Sequence, residues 1–242
     1  MRAQATLLLG AALLLPLPSM SQDAFFNSVN QGAIDYAGTV AVNSALDPDA
    51  EDVAEAASDA ASPGARFRPS DEVSRRVQQA FVQAFGNRAP DRRDHYAGQV
   101  ESGGLAAPFD SLLERHRLAR TDFNDVAAGY FIALWSVIHD RPVSPAEARG
   151  AIAQIRRISR ADPAIVPASD AARQAISEAN GLYAGLALRE QARRAGDPVA
   201  GERLRRQVAA RAREQGMDLQ SLELTAQGFR PGPDAVAGAG RD

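Results

Sequence analysis

Neither cysteine nor lysine occurs among the 242 residues, and aromatic side chains make up only 6% of them. Without cysteine the chain has no disulfide, no thiol nucleophile and no thiolate metal ligand, so its stability rests on packing. Without lysine, Schiff-base and lysine general-base mechanisms are excluded. Every strongly basic side chain is arginine, which together with abundant alanine reads as a coding bias. No G-x-S-x-G, G-x-G-x-x-G or P-loop spacing is found, so the glycine-dependent turns that expose a nucleophilic serine or cradle phosphates are missing. The net charge of −3 gives no reason to expect nucleic acid as a partner.

Long apolar runs are also scarce, and the first of them is terminal. Arg2 precedes a stretch from Thr6 to Leu17 broken only by Gly10 and Pro16, and Ser19-Met20-Ser21 then places small residues ahead of Gln22. Residues 1–21 have the layout of a secretory signal peptide and are too short to span a bilayer. The expectation is an exported protein, periplasmic or extracellular, with no transmembrane segment in the mature chain. Loss of Arg2 takes the net charge from −3 to −4.

What remains divides by composition. Residues 22–46 mix Phe25, Phe26, Val29 and Ile34 with Asn, Gln and Gly, and show neither a helix nor a strand period. Residues 47–65 are rich in Asp, Glu, Ala and Ser, lack aromatics and close on Pro63-Gly64. Such a segment buries too little to offset its ordering entropy and reads as a flexible acidic linker. Residues 66–230 form the predicted domain, and 231–242, rich in Gly, Ala and Pro, a loose tail.

Within the domain the chain reads as consecutive helices. Ser70 and the acidic pair Asp71-Glu72 open the first, Val73, Val77, Phe81 and Ala84 repeat at helical spacing, and Gly86 ends it. Shorter helices are predicted over 91–101 and 108–118. Asp122 or Asn124 caps a helix that is apolar nearly all round from Val126 to Ile138, too short to cross a membrane and therefore expected at the centre of a core. Ser144-Pro145-Ala146-Glu147 is a capping box, Ser169-Asp170 opens a longer helix, and Asp197-Pro198 opens the last, which Gly216 ends. Leu222-Glu223-Leu224 alternates as a strand. The predicted fold is mainly α: a compact bundle of six to seven helices around one apolar central helix, with one short strand near the C-terminus.

Three stretches carry a family resemblance: Phe67-Arg68-Pro69-Ser70 with its helix, Asn124-Asp125-Val126-Ala127 leading into Tyr130 and Trp135, and Leu222 to Phe229. In their order and spacing the chain resembles a family of uncharacterised exported bacterial proteins, a domain of unknown function (DUF6683). The resemblance brackets Arg66 to Arg230 and leaves the segment before it outside. It implies a secreted helical domain and brings no activity, cofactor or site.

Candidate chemistry is sparse. The only histidines, His95, His116 and His139, lack the H-E-x-x-H or i, i+4 spacing of a zinc site, so a metal centre would need the fold to assemble all three. The expectation is surface or helix-end histidines, with no metal and no cofactor. Gln99-Val100-Glu101-Ser102-Gly103 resembles the Glu-Ser pair of lytic transglycosylases, whose glutamate acts as general acid, but the downstream Gly-Leu-Met-Gln element is missing. Arg203, Arg206 and Arg213 lie opposite Leu204, Val208 and Ala212 on a helical wheel, the pattern of a solvated face, with an anionic-lipid surface as the alternative. Gly181 and Gly185, four apart within a helix, predict close approach to the central helix near Gly129. The sequence favours an exported non-enzymatic binding or accessory protein, its partner an unknown protein or envelope component. The alternative is a cell-wall glycan hydrolase using Glu101.

Mature protein is expected to begin at Gln22 or within a residue or two, and mild protease to cut between Asp47 and Ala65. N-terminal sequencing of exported material checks both; an intact Met1, or a linker that resists cleavage, refutes the reading.

Overall fold

Seven helices and one hairpin account for the described residues: α1 (Asp71–Gly86), α2 (Arg93–Glu101), α3 (Ala107–Arg115), α4 (Phe123–Ile138), α5 (Pro145–Ala161), α6 (Asp170–Arg193), α7 (Pro198–Glu214), β1 (Leu222–Thr225) and β2 (Gly228–Pro231). The computed structural model describes residues 64–86, 90, 93–163, 166–167 and 169–232. The predicted leader, residues 22–46 and the acidic linker up to Pro63 lie outside them. The mainly helical bundle expected from periodicity is present, and no helix among the described residues is long and apolar enough to cross a membrane.

α4 sets the arrangement. Of its sixteen residues only Ala127 is not buried, so every face needs a neighbour. α3, α5, α6 and α7 each pack against it, α1 packs on α6, and α2 packs on α1. Asp122, not Asn124, is the cap: its Oδ1 accepts from the N–H groups of Asn124 at 3.0 Å and Asp125 at 3.3 Å. That leaves the Asn124 and Asp125 side chains to tie α4 to its surroundings. Asn124 Oδ1 accepts from Ser159 Oγ of α5 at 2.7 Å, and Asp125 accepts from Arg156 at 2.8 Å and from the Ala119 N–H at 2.8 Å.

Two buried glutamines clamp the ends of the domain. Gln174 of α6 accepts from the Ser70 N–H at 2.8 Å and donates to the Ser70 carbonyl at 2.9 Å. Gln154 of α5 does the same for Phe229 of β2, accepting at 2.8 Å and donating at 2.9 Å. Each primary amide presents one donor and one acceptor side by side, the pattern a neighbouring strand would offer. The segment entering α1 is held further by Phe67 N–H to the Thr121 carbonyl at 3.0 Å and by Phe123 N–H to the Ala65 carbonyl at 2.9 Å. Ala65, read from composition as the last linker residue, is therefore buried within the domain.

The single strand foreseen near the C-terminus is half of an antiparallel hairpin, Leu222 opposite Pro231 and Thr225 opposite Gly228. Its second strand carries no alternation and runs to Pro231, where composition suggested a tail. Gly228, at φ +111°, takes the position after the two-residue turn. Gly150 of α5 lets that turn approach, since a Cβ there would lie 2.5 Å from the Ala226 carbonyl oxygen.

Close approach at Gly181 and Gly185 is present, but the partner differs from the one expected. A Cβ on Gly185 would lie 2.2 Å from the Leu105 carbonyl oxygen, and one on Gly181 would lie 3.4 Å from the Phe109 ring. Gly129 of α4 meets the same α3 side chains, with Leu113 at 2.5 Å and Phe109 at 3.3 Å from its would-be Cβ. The physical reason is Phe109: its ring needs room on both flanks, so glycines on α4 and α6 both face α3 and the turn before it.

Gly185→Ala is expected to destabilise by about 1–3 kcal/mol, because a backbone carbonyl, not a flexible side chain, occupies the space. Gly98→Ala, in α2 with nothing within 4 Å of the added Cβ, is expected to stabilise by about 0.4–1 kcal/mol. Thermal melts of both variants decide it, and a raised midpoint for Gly185→Ala would refute the packing account.

Candidate binding cleft

The ends of three helices meet the start of a fourth around an open cleft of about 680 Å³. That size falls within the range of about 300–1,000 Å³ typical of small-molecule sites. Its floor is apolar, with Leu112, Ile132, Val137 and Leu204 all buried and Leu188 half-buried. Its rim is charged, carrying Arg115, His116, Asp140, Arg141, Arg194 and Arg205.

Local backbone chemistry puts these side chains there. α3 closes on Arg117 at φ +56° and α4 on Asp140 at φ +48°. In each, an N–H reaches back five residues, Leu118 to the Leu113 carbonyl at 2.8 Å and Arg141 to the Ser136 carbonyl at 3.1 Å. These are helix-ending turns in which glycine usually takes the left-handed position. At Asp140 the arrangement aims a carboxylate across the cleft, where it accepts from Gln191 of α6 at 3.1 Å and Arg205 of α7 at 2.9 Å. Asp197 caps α7 by accepting from Val199 and Ala200 N–H groups at 3.1 and 2.9 Å.

Behind the rim, Arg141 lies 4.6 Å from the Trp135 ring centroid and pairs with Glu147 at 2.7 Å. Glu147 also completes the predicted capping box with Ser144. The Arg141 hydrogen bond, aided by those of Ser144 and opposed by burial, holds its carboxyl down to about 2. Arg194 pairs with Glu190 at 2.9 Å, and Arg205 with Glu202 at 2.7 Å. Burial, and then the neighbouring Arg115, lowers the His116 pKa, so its imidazole is neutral at pH 7.

The histidines are not brought together. His95 is exposed on α2 beside Tyr96, His116 lines the cleft, and His139 stacks on Trp135 at 4.3 Å with Nε2 3.0 Å from the Leu219 carbonyl oxygen. No group of three or more His, Cys, Asp or Glu among the described residues is placed to hold a metal. Glu101 is exposed at the last residue of α2 and lines no part of the cleft. On α7, Leu204, Val208 and Ala212 face inward while Arg203, Arg206 and Arg213 are exposed, as the wheel predicts. Sequence reasoning missed the cleft. The only signals available were a helix stop at Asp140-Arg141-Pro142 and arginines in the last turns of α3 and α6, both of which read locally as capping.

A second, smaller cavity of about 160 Å³ lies beneath Phe67 and Pro69, against Phe109 and Gly181. The buried Ser177 hydroxyl lines it and has no hydrogen-bond partner among the described residues.

A family model described as a family of unknown function (DUF6683) matches residues 20–231. The match begins far ahead of Arg66, so the segment placed outside the resemblance falls within the family's extent; its lack of a helix or strand period had hidden it. No curated protein and no solved structure matches the chain.

The Arg141–Glu147 pair gives the rim a pH dependence of known sign. A carboxyl held below its ordinary value of 4.5 contributes stability that is complete above that pH and is lost as pH falls towards about 2. Glu147→Gln, which keeps the box geometry but not the charge, is expected to cost about 1 kcal/mol at pH 7. The gap between wild type and variant should shrink at pH 3. Urea unfolding at the two pH values measures it, and an unchanged gap refutes the assignment.

Proposed function

The chain belongs to the DUF6683 family, whose function is unknown, and we propose that it is an exported, non-enzymatic binding or accessory module whose ligand site is the cleft bounded by the ends of α3, α4 and α6 and the start of α7. The observation that carries the reading is the pairing of an apolar floor with a rim whose carboxylates and serine hydroxyl are already committed. Asp140 bridges α6 and α7, Asp197 caps α7, and the Ser136 hydroxyl donates to the Ala133 carbonyl at 2.8 Å. None of these is poised to take a proton from a bound molecule or to attack it. With its carboxylates and hydroxyl so engaged, the site is suited to holding a ligand.

Export is supported by the layout of residues 1–21, a charged start, an apolar run and small residues before Gln22. The partner is an envelope component or another exported protein. Glycan hydrolysis by Glu101 is the weaker reading, since that carboxylate is exposed and lines neither of the two cavities described above.

Two measurements test the proposal. The purified full chain should enhance the fluorescence of Nile red, a neutral dye. Ala192→Trp, which places an indole at an exposed position on the cleft lining, should abolish the enhancement while leaving the circular dichroism unchanged. Incubation with peptidoglycan should release no muropeptides. Release that disappears in Glu101→Gln would overturn the proposal in favour of the hydrolase.

A further inference from the structure

Four guanidiniums line the cleft, and three are already paired with carboxylates. Arg141 is held by Glu147, Arg194 by Glu190, and Arg205 by Asp140 and Glu202. Arg115, exposed in the last turn of α3, is held by no carboxylate among the described residues. The carbonyl end of α3 contributes only about half a negative charge at this position, so the arginine is left with a surplus and with unused N–H donors. His116 adds no second charge, because burial and Arg115 keep its imidazole neutral at pH 7. The cleft therefore offers one unmatched positive charge at its rim above an aliphatic floor of Leu112, Ile132, Leu188 and Leu204.

Resting on the reading of this cleft as a binding site, we propose that its ligand is a small amphipathic monoanion, an aliphatic body bearing one carboxylate, with Arg115 as the carboxylate's partner. Size and charge both select this class. A cleft of about 680 Å³ accommodates a short aliphatic chain with room to spare. A polyanion would have to displace Glu147, Glu190 or Glu202 from guanidiniums they already hold, at a desolvation cost that a single carboxylate on Arg115 avoids. A purely apolar ligand would gain nothing from the Arg115 guanidinium. The fork of N–H groups on Arg115 suits a carboxylate, which accepts two parallel hydrogen bonds.

Isothermal titration of the purified full chain with octanoate, octan-1-ol and octylamine separates charge from chain length. Octanoate should bind about tenfold more tightly than octanol, the ratio expected from a charge-assisted hydrogen bond, and octylamine more weakly than either. Arg115→Gln should bring octanoate down to the affinity of octanol and leave octanol unchanged, whereas Arg115→Lys should retain the preference for octanoate. Ala192→Trp should abolish binding of both. Equal affinities for octanoate and octanol, or a preference that survives Arg115→Gln, would overturn the monoanion while leaving the cleft a binding site. Octanoate binding that survives Ala192→Trp would also overturn it, since the site would then lie elsewhere. Failure of all three probes and of Nile red would remove the binding reading itself.

Discussion

An α-helix that is apolar on every side has to be wrapped, and α4 is such a helix. With fifteen of its positions buried, it cannot lie on a surface, and a single layer of neighbours cannot cover it. α3, α5, α6 and α7 surround it. Even its polar groups are spent inside the domain: Tyr130 donates to Gln215, the residue that follows α7, at 3.0 Å, and Trp135 Nε1 donates to the Leu222 carbonyl at 2.9 Å. Burial pushes the pKa of the Tyr130 and Tyr183 hydroxyls far above its usual range, so both stay neutral in the core. The wrapping is tight only because glycines on α4 and α6 make room for Phe109 and for the turn before α3.

Closing such a bundle leaves its two chain ends to be secured. Here the same device is used twice: a buried glutamine amide bonds both backbone groups of one residue, Ser70 at the start and Phe229 at the end. A lost partner would leave a buried amide unsatisfied, which costs about 1–3 kcal/mol for each group. These contacts explain two of the three motifs by which the family is recognised, and the Asp125–Arg156 and Asn124–Ser159 bonds explain the third. The residues that carry the resemblance are therefore ones that hold this domain together.

The cleft follows from where the wrapping stops. α3, α4 and α6 end around it, and their carbonyl ends draw arginines into the last turns and the turns that follow. Asp140, held in the left-handed region, joins α6 to α7 across the opening. Most of the charge gathered there is structural, and it cancels locally. What does not cancel is Arg115, and this residual charge distinguishes the cleft from a simple gap between helix ends.

The helices were legible in the sequence because their signals are local. Ser144 to Glu147 within one turn makes a capping box, Asp197-Pro198 opens a helix, and the nearly continuous apolarity of Val126 to Ile138 marks the centre wherever its neighbours lie. The first strand was visible through the alternation of Leu222 to Leu224; the second was not, because Gly228 to Pro231 has no period and depends on Gln154, some 75 positions earlier, for its place. The glycines announced close packing but not the partner, since Gly185 meets a carbonyl at Leu105 that spacing along α6 cannot reveal. The candidate site lay beyond the sequence for the same reason. Arg115, Asp140, Arg194 and Arg205 belong to four different helices or their ends, and each has a sufficient local reason to be where it is. Only the tertiary structure shows that they share one opening, and that carboxylates hold three of the cleft's four arginines and leave Arg115 unmatched.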